Sequence, residues 1–229
     1  MNKHVLVVAA HPDDEILGCG GTLSRHAAEG CEINLLILAE GATSRDEWRQ
    51  IAARAAEIDA LRDAAHRAAG VIGAAPPSFG GFADNRMDSV ALLDVIKVIE
   101  RKINEVKPDI VYTHHGGDLN IDHRIVHEAV VTACRPLPDA VVRAIYAFET
   151  ISSTEWALDS SRQFRPVRWV DISDFLARKM EALACYDTEM RPFPHPRSRE
   201  GVEALARMRG ATAGVSAAEA FSVVREIVR

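Results

Sequence analysis

The sequence predicts an α/β fold: one domain, built on a mostly parallel sheet flanked by helices. Three observations predict it. Short aliphatic runs recur along the chain, among them VLVV at 5–8, INLLIL at 33–38 and DIVYT at 109–113. Each is largely apolar rather than alternating, the pattern of strands covered on both faces. Longer segments with apolar residues at helical spacing lie between them, so strand and helix alternate as in βαβ units. Finally, 229 residues with 48% hydrophobic and 26% charged content suit one domain with a sizeable core and argue against disorder.

Taken in order, His4–Ala10 is expected to be a buried parallel strand that ends in polar residues. Gly20–Glu29 reads as a helix stopped by Gly30, and Glu32–Ala39 as a second strand. Asp46–Ala69 is Ala-rich with Trp48, Ile51, Ile58 and Leu61 at helical spacing, and Ser44 with Glu47 forms a candidate capping box. A short strand is expected within Pro76–Phe82. Asp88–Val106 is a helix, with Val90, Leu93, Ile96, Ile99 and Ile103 mostly on one face, ended by Pro108. Asp109–Thr113 is a strand and Asp122–Cys134 a helix stopped near Pro136. Val142–Phe148 and Val167–Ile172 are expected strands, and Asp174–Thr188, Glu200–Arg209 and Ala217–Arg229 expected helices. Three prolines make Arg191–Arg199 a loop. The chain 1–229 therefore reads as a single domain with a C-terminal helical extension at about 174–229. There is no internal repeat.

Composition excludes some functions. The net charge of -6 offers no global basic field for nucleic acid. No apolar run approaches a membrane span, and the N-terminus carries no signal-peptide pattern. Cys19, Cys31, Cys134 and Cys185 form no CxxC pair and read as free thiols of a reducing compartment, which makes the cytoplasm the expected location. The trailing helices suit an interface with a second copy of the chain.

Two stretches carry chemistry. AHPDDEILGCGGTL (10–23) follows the first strand, at the sheet edge where α/β proteins bind ligands. Its glycines suggest a phosphate turn, yet GCGG is not GxGxxG, and the adjacent carboxylates would repel an anion. That mismatch, with only Glu40 as an acid ending strand two, also argues against a dinucleotide oxidoreductase. A cation relieves the repulsion, and His11 with Asp14 offers the imidazole and carboxylate that a first-row metal prefers. Asp13 then stands beside the metal without ligating it. A purely structural account also exists, in which Asp13, Asp14 and Glu15 serve as cap and first-turn acids.

THHGGDLNIDHRIVH (113–127) follows another strand and opens a helix on the same edge. A catalytic zinc site takes three protein ligands and leaves one position open. His123 is the best third ligand, with Asp122 as an outer carboxylate. His114, His115 and His127 are rivals; His127 reads better as a structural residue, as do His4, His26 and His66. Such a site would form hydroxide near neutral pH, with Asp13 as the proton acceptor and the metal polarising a carbonyl. Hydrolysis of an amide or ester follows, and no GxSxG competes. A metal-dependent phosphoester hydrolase would want more carboxylates or a basic clamp. A non-catalytic sugar- or metal-binding protein would be expected to lack a ligand or the base.

Through AHPDDE and the distant DLNIDHR (Asp118–Arg124), the chain resembles the PIG-L/LmbE family of zinc-dependent N-deacetylases, from about Val5 to Arg209. The resemblance implies a Rossmann-like fold and removal of acetyl from N-acetylglucosamine-type sugars or conjugates, a small-molecule partner. By motif, His11, Asp14 and His123 would hold the metal and Asp13 would be the general base. Zinc is the expected ion, although iron, manganese and cobalt accept the same donors. Where many members carry a histidine that helps stabilise the oxyanion, this chain has Asn120, which can donate a hydrogen bond but cannot act as an acid. His195 in PHPRS is then the candidate proton donor and His114 its runner-up. The segment Tyr186, Thr188, Glu189 and Pro194–Ser198 is similar to a bacterial branch of the family. Arg62 and Asp84 resemble residues that meet sugar hydroxyls, His114 is a further candidate for substrate contact, and Arg197 is a candidate partner for an anionic substrate group.

Overall fold

A computed structural model describes residues 3–228. The strands are β1 (His4–Ala9), β2 (Glu32–Ala39), β3 (Ser78–Phe82), β4 (Ile110–His114), β5 (Ala144–Phe148), β6 (Arg168–Asp171) and β7 (Ala218–Glu226). The helices are α1 (Asp14–Ala28), α2 (Ile51–Ile72), α3 (Leu92–Val106), α4 (Ile121–Ala133), α5 (Leu176–Leu183) and α6 (Arg199–Ala213). All strands join one sheet in the order β3-β2-β1-β4-β5-β7-β6. The first five run parallel, with Val5 opposite both Ile33 and Ile110. β7 is antiparallel to both β5 and β6. Among the described residues, no helix is long and apolar enough to cross a membrane.

Alternate side chains of β1 feed two cores. Val5 and Val7 pack with Ile16 and Leu23 of α1, Ala65 and Ile72 of α2, and Met180 and Leu183 of α5. Leu6 and Val8 pack on the other face with Ile96, Ile99 and Ile103 of α3 and Val126 and Val130 of α4. Burial on both faces is why these strands read as unbroken apolar runs. In α3 the buried positions 95, 96, 99 and 103 repeat at helical spacing. Each contributes roughly 1.5–3 kcal/mol by leaving water, far more than the helix propensity of its residues.

The structure corrects several local expectations. The helix after β1 starts at Asp14, not Gly20, and bends at Cys19, where φ is -148°. Glu219 of β7 enters the bend and accepts the N–H groups of Gly21 and Thr22 at 3.0 and 2.7 Å. Lys179 of α5 donates to the Leu17 carbonyl and to Glu219 at 2.7 and 2.6 Å. The groups freed by the bend are thus satisfied by an ion pair from two distant elements. Gly18 allows this close packing, because a Cβ there would lie 2.2 Å from the ring of Phe148.

α2 begins at Ile51, and Ser44 is not its cap; the Ser44 hydroxyl donates to Asp84 instead. The C-terminal helix expected over 217–229 is instead, with residue 229 outside the described residues, the strand β7 at Ala218–Glu226. Its Ala and Glu content favours a helix locally, but β5 offers an open sheet edge whose backbone groups need partners. Residues 174–228 are thus mixed: α5 and α6 are helical as expected, and β7 inserts between β5 and β6.

Candidate metal centre

Every parallel strand delivers a loop to one cavity at its carboxyl end, as α/β topology dictates. Its lining includes His11, Pro12, Asp13 and Asp14 after β1, and Gly41, Ser44 and Arg45 after β2. Asp84 and Asn85 follow β3, Asn120 and His123 follow β4, and Thr150, Ser152 and Ser153 follow β5. Glu189 and Arg197 come from the segment between α5 and α6. Gly41 is required where the first two loops touch. Its φ is 79°, and a Cβ would lie 2.8 Å from Pro12.

His11, Asp14 and His123 converge. Their donor atoms lie within 4.8 Å of one another. Asp14 Oδ2 is 3.2 Å from His11 Nδ1 and 3.3 Å from His123 Nε2. A tetrahedral ion with bonds of about 2.0–2.1 Å has ligand-to-ligand edges of about 3.3 Å, so these separations suit it. The remaining ring nitrogens meet carboxylates as well. His11 Nε2 is 3.1 Å from Asp122 Oδ2, and His123 Nδ1 is 3.1 Å from Asp118 Oδ1, although that contact is poorly aligned for a hydrogen bond. A neutral imidazole carries one N–H and cannot satisfy an acceptor on both nitrogens. A cation on the inner nitrogens, with the outer N–H groups donated to Asp122 and Asp118, resolves the conflict. The donor set therefore fits a divalent metal.

A second group, His11, Asp84 and Asp122, is also compact. Its carboxylates are already engaged. Asp122 accepts the N–H groups of Asn85 and Met87 at 2.8 and 3.0 Å, and Asp84 accepts the N–H and hydroxyl of Ser44. Both act as supports behind His11. Sequence reasoning made Asp122 an outer carboxylate of the site without naming its partner; the fold turns it to His11. Asp118 was missed. It is buried, it is hydrogen-bonded by Ser153 and Thr154, and it backs His123. The rule that a ligating histidine hands its second nitrogen to a carboxylate would have found it.

The charges follow from burial and neighbours. Burial opposes protonation of His11, but Asp122, Asp14 and Asp84 outweigh it and raise its pKa well above the usual imidazole range. Burial likewise opposes charge on His123, and Asp14 and Asp118 bring it to about 9. Burial penalises the Asp118 carboxylate, yet His123, Ser153 and Thr154 hold its pKa down at about 2. Asp13 is only 3% exposed. Burial pushes it up to about 7, against the opposing pull of Arg197. Its backbone is held at φ 109°, a region that costs a non-glycine residue about 1–3 kcal/mol.

The other expected residues divide. Asn120 caps α4, accepting the Asp122 N–H at 2.8 Å and donating to Asn85. Arg197 lines the cavity but donates to Asp13 at 2.6 Å. His195 is not among the lining residues; its Nδ1 accepts the N–H of Arg197 at 3.0 Å. His114 does not face the cavity as a substrate contact. It is fully buried, accepts the Ala10 N–H on Nε2, and stacks on His123 at 3.8 Å. Arg62 is a second correction: it sits on the outer face of α2 beside Asp59, away from the cavity. His115 turns to the Arg162 carbonyl and His127 to the His114 carbonyl, and neither lines the cavity or belongs to its compact donor groups.

Comparison with known proteins gives the family. YaiS of Escherichia coli K12, described as an uncharacterized deacetylase, is 30% identical over 186 residues, covering 79% of this chain and 89% of that protein. A Rhodococcus erythropolis PR4 enzyme named 1D-myo-inositol 2-acetamido-2-deoxy-alpha-D-glucopyranoside deacetylase is 31% identical over 164 residues, covering 58% of this chain and 56% of the enzyme. Among solved structures, GalB, the 4-carboxy-2-hydroxymuconate hydratase of Pseudomonas putida KT2440, superposes with a TM-score of 0.77 at 26% identity, covering 99% of this chain and 98% of that one. Residues 6–134, more than half of the sequence, match the PIG-L family model, described as GlcNAc-PI de-N-acetylase. The chain belongs to the PIG-L family.

Proposed function

We propose that this protein hydrolyses the N-acetyl amide of a sugar or sugar conjugate, with zinc as its resident ion. The observation that carries the proposal is a buried carboxylate, Asp13, that stands outside a three-donor group whose two histidines are each backed by a carboxylate. The family description and the Rhodococcus relative favour an N-acetylated sugar. So does the polar character of the lining, which includes Ser44, Asp84, Asn85, Asn120, Ser152 and Ser153.

A zinc ion held by His11, Asp14 and His123 would acidify water and polarise the acyl oxygen. Asp13 accepts the proton as the water oxygen bonds to the acyl carbon. Its burial beside the donor group places it within reach of such a water. The same carboxyl returns the proton to the leaving nitrogen as the C–N bond breaks, giving acetate and the free amine. Asp13 suits that step better than His195, which is not among the residues lining the cavity. Asp122 and Asp118 fix the rings of the two histidines, and Asn120 offers a neutral donor at the rim.

GalB favours a second reading, addition of water to an unsaturated carboxylate. The cavity arginines would suit such an anion, but Arg45 and Arg197 are already ion-paired with Glu57, Glu189 and Asp13. Zinc-loaded protein should be incubated with N-acetylated sugars, sugar nucleotides and sugar conjugates, and with conjugated hydroxy-dienoates. Acetate and the free amine are expected only from the first group. Hydration of a dienoate without any acetate release would replace the proposal with the second reading.

A further inference from the structure

The Asp13 main chain is pinned on all sides. Its N–H donates to Glu15 Oε2 at 3.1 Å, and its carbonyl accepts the N–H groups of Ile16 and Leu17 at 3.0 and 2.9 Å. Its side chain is not. Among the described residues, the carboxylate receives a single hydrogen bond, from Arg197 Nη1 to Oδ2 at 2.6 Å. Oδ1 receives none. The guanidinium contact engages one oxygen, and the other is left for water.

The anchor is itself built in. The Arg197 N–H is held by His195 Nδ1 at 3.0 Å, and its carbonyl accepts the Arg191 N–H at 3.1 Å. The next residue, Ser198, is fully buried and caps α6 through the Gly201 N–H at 2.9 Å. On the side-chain end, Glu189 Oε2 lies 3.9 Å from the guanidinium, and Glu189 Oε1 takes Arg45 at 2.6 Å. Arg197 thus stands between two acids at a fixed place. Its Nε is buried without a partner among the described residues, a cost that packing alone would not retain.

We infer that Arg197 is a positioning residue for Asp13: the guanidinium holds Oδ2 so that Oδ1 is the oxygen that takes the proton from water. This rests on the deacetylase reading for its role in turnover, but not for the contact itself. His195 then acts at one remove, through the main chain of Arg197. The same guanidinium could instead grip an anionic group of the substrate, and the two roles differ in what they change. Positioning of the base acts on kcat, whereas a substrate anchor acts mainly on KM.

The test uses zinc-loaded wild type, Arg197→Gln and Arg197→Ala. The glutamine variant keeps most of the side-chain volume and guards against misfolding. Expected for both are one equivalent of zinc, a kcat at least tenfold lower and a KM within about threefold of wild type. Added guanidinium should restore part of the activity of Arg197→Ala. A kcat unchanged in Arg197→Gln, or a loss confined to KM, overturns the inference. A crystal structure of Arg197→Gln gives a readout without turnover, in which the Asp13 carboxylate should leave its present orientation. If it stays, the inference fails even where the wild type is active. If wild type releases no acetate from any substrate, the deacetylase reading fails and the crystal structure alone decides the role of Arg197.

Discussion

His11 Nε2 and Asp122 Oδ2 meet at 3.1 Å across 111 positions of sequence. Asp122 also accepts two backbone N–H groups from the loop after β3, so its carboxylate is fixed before any metal arrives. It presents an acceptor that holds His11 in the tautomer with a free Nδ1. Asp122→Asn should weaken zinc binding 10–100-fold, measured by competition with a chromogenic chelator. Unchanged affinity would mean that His11 needs no such orientation.

The proposed ligand and base roles make different predictions. His123→Ala removes one of three donors and should leave the purified protein with little zinc by elemental analysis. Asp13→Asn should keep a full equivalent and lose about 10²–10⁴ in kcat. A zinc-depleted Asp13→Asn would make Asp13 a ligand instead.

Glu15 predicts a pH dependence of stability. It is fully buried, accepting the Tyr186 hydroxyl at 2.6 Å and the Asp13 N–H. Burial pushes its pKa up to about 8, from 4.5 for the free side chain. Below pH 4.5 both folded and unfolded chains hold the proton. As pH rises from there, the unfolded chain releases it first, so folding loses stability until the pH passes about 8. The total is on the order of a few kcal/mol. In chelator-treated protein, Glu15→Gln should therefore gain on wild type between pH 5 and pH 9 in urea unfolding. A pH-independent gap would refute the raised pKa.

The buried pair of Lys179 and Glu219 predicts a large stability loss. Glu219→Ala strips the bend in α1 of its acceptor and leaves the Lys179 amine, itself only 4% exposed, without its carboxylate. Removing one partner of such a pair costs about 3–5 kcal/mol. Urea denaturation should show it, and adding Lys179→Met should recover part of it. A loss below about 1 kcal/mol would indicate that water reaches the amine.

The sequence by itself determined the strands β1, β2, β4, β5 and β6, the helices α3 and α4, and the residue types gathered at the sheet edge, where His11, Asp14 and His123 form the group proposed to hold the metal and Asp13 stands beside them. Those features are local. A run of Val and Leu buried on both faces looks the same wherever the strand lies in the sheet, and a histidine beside acids at a strand end announces its chemistry within a few residues. Only the tertiary structure decided the rest. It gave Asp122 to His11 and Asp118 to His123, brought Arg197 across 184 positions to Asp13, and left Arg62 outside. It buried His114 behind the site, and it made the last segment a strand despite its helical composition. Each of these depends on which strands become neighbours and which backbone groups still lack partners once they do. Side chains far apart in the chain can meet only after that order is set, and no short-range pattern encodes it.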